Sequence, residues 1–350
     1  MPRRTSRARA TLADVAAAAG VSVATVSKAL NGRDDVAVET RERVLSAVSD
    51  LGYRSSTSPA VRDHAALAVV FDIPASPYIL NVLQGVLSSS TELGLNLLNR
   101  LAPERPERVL RSTARQWVAA QQEAGVIGIV GLTLSEPDAL LDAAADARLP
   151  FVIVDPVDTC HPKMVSVGSS NWAGARAATE HLIALGHRRI AWVGGPDASD
   201  AARDRFYGYQ AALDNARIPT DTSLVRPGTF EVSKGMFHAH ELLTSSQPPT
   251  AIMAADDELA VGVLAAAHGL GIDVPGQLSV TGFDDTPQAA WTTPPLTTVH
   301  QHLEEMGRVA VQTVAAMADG HPPASRHLEL ATSLTIRATT GEVPGGTEPA

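Results

Sequence analysis

The pattern of apolar and polar positions changes twice along this chain of 350 residues. In the first fifty residues the apolar positions recur at three- and four-residue spacing, which is typical of one buried helix face. From residue 65 onward, short apolar runs alternate with helical segments, and after residue 340 the sequence is rich in glycine and proline. These patterns predict a small helical domain, an α/β body with parallel sheets and a disordered end.

The N-terminal pattern predicts two short helices around a glycine turn. Thr11 and Asp14 have the form of a capping box, so the first helix is expected to begin there and to end at Gly20. Ser22 can cap a second helix that runs to about Asn31. The residues expected on buried faces are Leu12, Val15, Ala16, Val26 and Leu30. The residues expected to point outward from the second helix are Val23, Ala24, Thr25 and Lys28.

A third helix is predicted from the apolar residues Val44, Leu45, Val48 and Leu51. It would pack under the first two helices and complete a three-helix core. Two short helices joined by a tight turn are a common way to present side chains to DNA bases. The alternative is a small helical bundle without a DNA-binding role, because such a bundle has the same periodicity.

Six apolar runs in the body predict strands that alternate with helices, which favours parallel sheets with helices on both faces. The runs are 65–72, 125–131, 151–155, 189–195, 251–257 and 278–285. The length of this region suggests two lobes, and ligands of such folds bind at the carboxyl ends of strands. The polar residues at those ends are Asp72, Asp155, Asp256 and Asp284.

The charge of the chain is unevenly distributed. The formal net charge is −10, yet residues 1–62 carry 10 Lys and Arg against 6 Asp and Glu, which leaves 18 of the 28 basic and 32 of the 38 acidic residues for the rest. A basic end on an acidic body fits a protein that contacts phosphate through one end only. The basic arm at 1–10 holds Arg3, Arg4, Arg7 and Arg9; it either contacts a DNA groove or is a disordered tail.

No apolar segment follows this arm, so we expect no secretory signal, and no apolar run has the length of a membrane span. The single cysteine, Cys160, cannot form an internal disulfide or supply a metal cluster. We therefore expect a cytoplasmic protein without a metal or another cofactor.

The order of residues near the N-terminus resembles the headpiece of the LacI/GalR family of bacterial repressors. Residues 11–31 contain Asp-Val-Ala, Ala-Gly-Val-Ser, Thr-Val-Ser and Leu-Asn at the family's spacing, and 39–44 and 51–53 contain Glu-Thr-Arg-Glu-Arg-Val and Leu-Gly-Tyr. The resemblance continues through the body, with motifs at 185–191, 193–196, 205–209, 255–257, 278–285 and 294–301. It implies a periplasmic-binding-protein-like body that dimerises and whose two lobes close around a small molecule.

The resemblance also implies a set of effector-binding residues. They are Tyr78, Asp155, Arg205, Phe230, Asp256 and Asp284. Arg205 and Asp284 fall where relatives place an arginine and an aspartate on the ligand, a pair that suits vicinal hydroxyls or a heterocycle edge. The two aromatic rings could stack on a ring of the ligand. The alternatives are that each aspartate only caps a helix, that Arg205 forms a salt bridge between lobes, and that the aromatics belong to the core or rim.

The expected effector is a sugar or sugar derivative, and a nucleoside or purine is the alternative. Two departures from the family prevent a closer assignment. Ser199 stands where many relatives have arginine, and Ser170 precedes Asn171 where they often have aspartate.

The second helix is implied to read DNA. Val23 and Ala24 occupy positions that select bases in relatives, with Lys28 one turn later; small apolar side chains contact thymine methyl groups and lysine donates to guanine. The residues expected to cap helices or hold phosphate are Thr11, Ser22, Thr25, Ser27 and Asn31. A two-fold symmetric body would place two such helices on a palindromic operator.

The linker at 54–64 departs from the family. Relatives form a hinge helix there whose leucine wedges into the minor groove, whereas this chain has no leucine in the segment. Val61 is the nearest apolar wedge, and Pro59 could only begin a helix. The alternative is a flexible, serine-rich tether.

Together these features predict a sequence-specific transcriptional repressor controlled by a small molecule. The predicted divisions are a basic arm at 1–10, a helix-turn-helix headpiece at 11–53, the linker at 54–64, a two-lobed body at 65–340 and a disordered tail at 341–350. The tail has no leucine heptads, so we expect a homodimer. Two other classes share an α/β body: an enzyme, for which we find no catalytic motif, and a solute-binding protein, which would need an export signal.

Overall fold

The computed structural model describes residues 12–30, 37–51, 65–71, 76–102 and 111–343. The described residues before position 64 and those after it form two compact units. Each unit has a hydrophobic core of its own. No helix in these described ranges combines the length and apolarity that a membrane crossing requires.

The N-terminal unit contains three helices: α1 (Leu12–Ala19), α2 (Val23–Leu30) and α3 (Val38–Leu51). Gly20 ends α1 with a φ of 66°, a left-handed conformation that glycine adopts without steric cost. The core of this unit includes Val15, Val26 and Val44, which are fully buried. The predicted helices and glycine turn are thus confirmed.

Lobe 1 of the body is built on a parallel six-stranded sheet. Its strands are β1 (Ala66–Phe71), β2 (Asn96–Leu101), β3 (Val126–Leu132), β4 (Phe151–Val154), β5 (Val165–Ser169) and β11 (His327–Leu330). They lie in the order β11, β5, β4, β3, β1, β2. The helices of this lobe are α4 (Pro77–Glu92), α5 (Arg111–Glu123), α6 (Asp138–Asp146) and α12 (Leu303–Ala318).

Lobe 2 is built on a second six-stranded sheet. Its strands are β6 (Ile190–Val193), β7 (Val225–Arg226), β8 (Ala251–Ala254), β9 (Ser279–Asp284), β10 (Thr297–His300) and β12 (Ser333–Thr335). They lie in the order β12, β10, β9, β8, β6, β7, and β12 alone pairs antiparallel. The helices of this lobe are α7 (Asn171–Ala184), α8 (Asp200–Asn215), α9 (Val232–Leu243), α10 (Asp257–Gly269) and α11 (Pro287–Trp291).

The chain passes between the lobes at three crossover segments: Ser170, residues 301–302 and residues 331–332. The first and third lie side by side, because the Ser170 amide donates to the carbonyl of Leu330 at 2.9 Å. The Thr332 hydroxyl in turn donates to the Ser170 carbonyl at 3.3 Å. The second crossover leads into α12, so a helix late in the sequence completes the core of lobe 1.

Helix α12 packs unusually close to α4. A Cβ atom at Gly85 would lie 1.7 Å from the carbonyl oxygen of Glu304, and one at Gly307 would lie 2.2 Å from that of Val82. Only glycine permits this approach, since any side chain would have to move the partner's backbone. The contact fixes the second crossover to the first helix of lobe 1.

All six predicted strands are present, as β1, β3, β4, β6, β8 and β9. The α/β class with parallel sheets is therefore confirmed. Two described features differ from the predicted tail: the Val343 amide donates to the carbonyl of Leu185 at 3.0 Å, and the Gly341 carbonyl lies 3.0 Å from Nε2 of His187. The body therefore continues beyond residue 340, because these bonds hold residues 341–343 on lobe 2. Positions 344–350 lie outside the described residues, as do the basic arm and the linker.

Candidate effector cavity and DNA-binding helix

A cavity of about 760 Å³ lies between the two sheets of the body. Its wall includes all six residues that the sequence assigned to the effector: Tyr78, Asp155, Arg205, Phe230, Asp256 and Asp284. Lobe 1 contributes Tyr78 from α4 and Asp155 from the end of β4, and lobe 2 contributes the others. Asp72, which the sequence placed at the end of β1, lies outside the described residues.

Arg205 is the centre of the polar network in this cavity. Its Nε donates to Oδ1 of Asn171 at 2.7 Å, and its Nη1 donates to the carbonyl of Ala255 at 2.8 Å. The same Nη1 lies 3.4 Å from Oδ1 of Asp284, and the guanidinium stacks on the Phe283 ring at 3.9 Å. The side chain is held on several sides and only 3% exposed, so its donors have a fixed direction.

The sequence left open that Arg205 forms a salt bridge between the lobes. The structure shows a salt bridge within one lobe instead. Its ionic partner Asp284 belongs to β9 and therefore to the same lobe. Asn171, which accepts from Arg205, also belongs to lobe 2 and immediately follows the first crossover segment. Its side-chain nitrogen donates to the carbonyl of Ser169 in β5 of lobe 1 at 3.1 Å, so the link to the other lobe runs through Asn171.

Asp284 is held by the second crossover segment. Nε2 of Gln301 donates to its Oδ1 at 2.5 Å, and the Gln301 amide donates to its carbonyl at 3.3 Å. Burial raises the pKa of Asp284 well above its usual range, and the charge of Asp256 raises it further, whereas Arg205 opposes both effects. The one adjacent cation therefore does not offset burial and the neighbouring carboxylate, and ionisation of Asp284 is unfavourable.

Asp155 and Tyr78 form a pair on the wall of lobe 1. The Tyr78 hydroxyl donates to Oδ2 of Asp155 at 2.8 Å. Burial raises the pKa of Asp155, and the charge of Arg205 and this hydrogen bond lower it. Since the hydroxyl is committed to the carboxylate, Tyr78 offers mainly its ring to a ligand.

Asp256 and Asp257 are neighbours with different surroundings. Oδ1 of Asp256 accepts from the Leu259 amide at 2.7 Å and so caps α10, as the simpler alternative predicted, but the residue also lines the cavity. Asp257 accepts from the amide and the hydroxyl of Thr286 at 2.7 and 2.9 Å and from Thr298 at 2.5 Å. Its side chain ties α10 to the start of α11 and to β10, a role that the sequence analysis did not assign.

Phe230 packs against the turn after β6. A Cβ atom at Gly195 would lie 2.3 Å from the edge of the Phe230 ring, so the ring occupies space that only glycine leaves. Phe230 thus presents one surface to the Gly195 backbone and contributes another to the cavity wall. This placement agrees with a stacking surface for a ligand ring.

Three residues of the cavity wall have a left-handed backbone: Thr133 with a φ of 47°, Asp155 with 48° and Asp284 with 110°. Such conformations are costly for residues other than glycine, most of all for β-branched threonine. The Thr133 hydroxyl is also buried without a hydrogen-bond partner in the described part of the chain. Sequence reasoning missed Thr133, because no residue pattern marks it.

The N-terminal unit presents α2 as predicted. The Ser22 hydroxyl accepts from the Thr25 amide at 3.1 Å and lies 2.8 Å from the Thr25 hydroxyl, so Ser22 caps the helix. Val23 is 45% exposed and Lys28 is also exposed. Thr25 is half-buried rather than fully outward, because it takes part in the cap.

Several residues assigned to DNA contact cannot be placed. Thr11, Asn31 and Val61 lie outside the described residues. For Ala24 and Ser27 the structure describes the helical backbone alone. Their roles stay predictions.

A helix-turn-helix unit joined to a two-lobed body with a cavity between its lobes defines a DNA-binding transcriptional regulator. Two family profiles match: "Bacterial regulatory proteins, lacI family" over residues 11–56, and "Periplasmic binding protein-like domain" over residues 179–340. The HTH-type transcriptional regulator MalR of Streptomyces coelicolor is 31% identical over 343 residues, which are 95% of this chain and 97% of MalR. The chain belongs to the lacI family of bacterial regulatory proteins.

Solved structures give the same result. The transcriptional regulator CelR–cellobiose complex matches with a TM-score of 0.70 and 30% identity, covering 95% of this chain and 100% of that one. The lac repressor dimer bound to operator and the anti-inducer ONPF matches with a TM-score of 0.68 and 28% identity, covering 95% and 99%. The prediction that this chain is a regulator and not an enzyme is confirmed, since its relatives are named as transcriptional regulators.

Proposed function

We propose that this regulator is a homodimeric repressor whose affinity for a palindromic operator changes when a small molecule binds between the lobes of its body. The observation that carries the proposal is the cavity, whose wall combines fixed polar groups from both lobes. A ligand that contacts both walls favours one arrangement of the lobes over another, because its differential affinity shifts the population.

The effector is a polyhydroxylated ring compound, a sugar or sugar derivative. Arg205 supplies directed donors, Asp155 and Asp284 supply acceptors, and Phe230 supplies an apolar face for the ring. A solved relative, CelR, is described as a complex with cellobiose, which supports this class of ligand. A nucleoside could use the same aromatic surface and is the alternative that a ligand panel distinguishes.

The crossover segments give a route from the cavity to the rest of the body. Arg205 is bonded to Asn171 after the first crossover, and Asp284 to Gln301 in the second. The second crossover continues into α12, which packs on α4 of lobe 1. A change at either ligand-facing side chain therefore acts directly on a segment about which the lobes turn.

The partner in the dimer is a second copy of this chain. Leu80, Gln84 and Leu87 form an exposed stripe on α4, with Leu80 56% and Leu87 50% exposed. Lobe 2 exposes Val232, Met236 and Phe237 on α9. Apolar side chains exposed together at helical spacing mark interaction surfaces, and a solved relative, the lac repressor, is described as a dimer.

In the headpiece, Val23, Ala24 and Lys28 contact base edges, and Ser22, Thr25 and Ser27 contact phosphate or cap the helix. Thr11 and Asn31 flank these residues and join the phosphate contacts, and Val61 is the wedge of the linker. The exposure of Val23 and Lys28 supports the base-reading role of α2.

The test is genome-wide recovery of DNA bound by the tagged full chain, followed by binding of the recovered fragment at two salt concentrations with a panel of sugars and nucleosides. The proposal predicts a palindromic site, a steep loss of affinity with salt and a ligand that changes the affinity. A recovered set without a palindrome, or a site whose affinity no ligand in the panel changes, would contradict it.

A further inference from the structure

The lining of the cavity holds many more carboxyl groups than basic groups. The carboxylates among its described residues are Asp155, Glu231, Asp256, Asp257, Glu258 and Asp284. Arg205 is the one Lys or Arg side chain in the same described lining. Neutral ligands could be held by hydrogen bonds here, but they would leave this imbalance in place.

Three of these carboxylates converge on the single guanidinium. The positive charge of Arg205 lowers the pKa of Asp155, Asp256 and Asp284 alike, which shows that all three lie within its influence. Only Asp284 is within ion-pair distance, at 3.4 Å. One cation does not offset the burial of three acids, and burial therefore raises the pKa of all three.

The protein's own groups compensate these acids unequally. Asp257 has three donors and needs no ligand, and Asp155 has the Tyr78 hydroxyl. Asp256 is 6% exposed, and its hydrogen bond with the Leu259 amide uses one of its two oxygens. The charge of Asp256 in turn raises the pKa of Asp284, and both residues belong to the lobe 2 wall of the cavity.

We propose that the effector carries a basic nitrogen, as an amino sugar or an aminocyclitol does, and that its ammonium group binds between Asp256 and Asp284. This inference rests on the proposed function, because it names the ligand class of the same cavity. The ammonium group stabilises the ionised forms of the two carboxyl groups, and hydroxyl groups of the ring accept from Arg205. Phosphorylated or carboxylated sugars are excluded by like charge.

The first test compares matched ligands by titration calorimetry with the full chain. The probes are glucose, glucosamine, N-acetylglucosamine and glucose 6-phosphate; cellobiose, chitobiose and its deacetylated form; and an inositol with its amino derivative. We expect at least one amine to bind about tenfold or more tightly than its neutral partner, as a hydrogen bond to a charged group implies. Equal or tighter binding of neutral members, binding of the phosphate, or failure of every amine to bind overturns the inference.

The second test uses Asp256→Asn with the amine and neutral partner that show the largest difference. Asparagine also caps helices, so α10 retains its N-terminal hydrogen bond while the charge is removed. The preference for the amine, measured as the ratio of its affinity to that of the neutral partner, is expected to fall about tenfold. Glu180→Gln, at an exposed position of α7, is the matched control and leaves the preference unchanged. A preference that persists in Asp256→Asn overturns the inference.

The pH dependence gives an independent readout. Burial raises the pKa of Asp256 to about 7, and a bound ammonium group would lower it. The complex then holds fewer protons than the free protein, so amine binding releases protons. The affinity for the amine therefore increases as the pH rises from about 5 to 7. An amine affinity that stays constant over this range contradicts the inference.

The two proposals fail in different ways. If a neutral sugar binds in the cavity and changes operator affinity, the proposed function stands and the amine inference is wrong. If no probe changes operator affinity, the proposed function itself fails and the amine inference fails with it.

Discussion

The carboxamide of Gln301 donates to Asp284 at 2.5 Å and so joins a crossover segment to a carboxylate of the cavity wall. Arg205 and Asn171 form the equivalent pair at the first crossover, at 2.7 Å. Both cavity-wall groups are thus oriented by residues at the points where the chain passes between lobes. Under the proposed function, these hydrogen bonds would couple the orientation of the site to movement of the lobes.

We predict that Gln301→Leu weakens effector binding about tenfold, because Asp284 loses a buried donor that favours its ionised form. Titration calorimetry with the strongest ligand of the panel measures the loss. Gln312→Leu, at an exposed position of α12, is the control. Equal losses of effector affinity in the two variants would show that the Gln301 side chain does not support effector binding.

Arg205→Lys is expected to abolish the effector response and to destabilise the body by about 3 kcal/mol, because the acceptors on Asn171 and Ala255 lose their planar partner. The change is measured by thermal unfolding and by calorimetry. Arg203→Lys on the same helix is the control, since Arg203 is exposed and pairs with Asp200. A lysine variant that binds effector normally would refute the assignment of Arg205.

Thr133→Gly is predicted to stabilise the body by about 1 kcal/mol and to weaken effector binding. Glycine adopts the left-handed backbone without strain, and the change removes a buried hydroxyl that lacks a described partner. The two effects are measured by unfolding and by calorimetry on one preparation. If the variant is less stable, the strain argument fails; if it binds effector as tightly, the hydroxyl does not contact the ligand.

Replacing Leu80 and Leu87 together by glutamate is expected to shift the chain from dimer to monomer, since two charges would have to be buried against the second copy. Sedimentation velocity measures the shift. Two glutamates at exposed Gln122 and Gln312, which lie off this stripe, form the control. An unchanged dimer in the leucine variant would place the interface elsewhere, and a wild-type monomer or tetramer would contradict the proposed assembly.

The sequence predicted the elements whose pattern is strong. β1, β3, β4, β6 and β8 are apolar runs, β9 is a shorter β-rich run with Val280 and Phe283, and all six are present. β2 reads Asn-Leu-Leu-Asn-Arg-Leu and lies at a sheet edge, where polar residues are tolerated, so its periodicity gives no clear signal. The short strands β11 and β12 depend on pairing with distant segments, which no local pattern reveals.

The residues of the cavity were predicted because the order of motifs assigns them, and the structure brings all six together. The residues that support these six side chains were not predicted from the sequence. Asn171, Gln301 and Thr133 acquire their roles from the way the two lobes fold back on each other. The surplus of carboxyl groups follows from folding, which brings residues from distant parts of the sequence to one cavity.

The central claim is that occupancy of the cavity controls DNA binding. It is tested most directly by titrating the recovered operator with wild type and with Asp284→Asn, each with and without the strongest ligand. The account predicts a ligand-dependent change in operator affinity of about fivefold or more in the wild type and none in Asp284→Asn. A ligand that binds the wild-type cavity and leaves operator affinity unchanged would contradict the account.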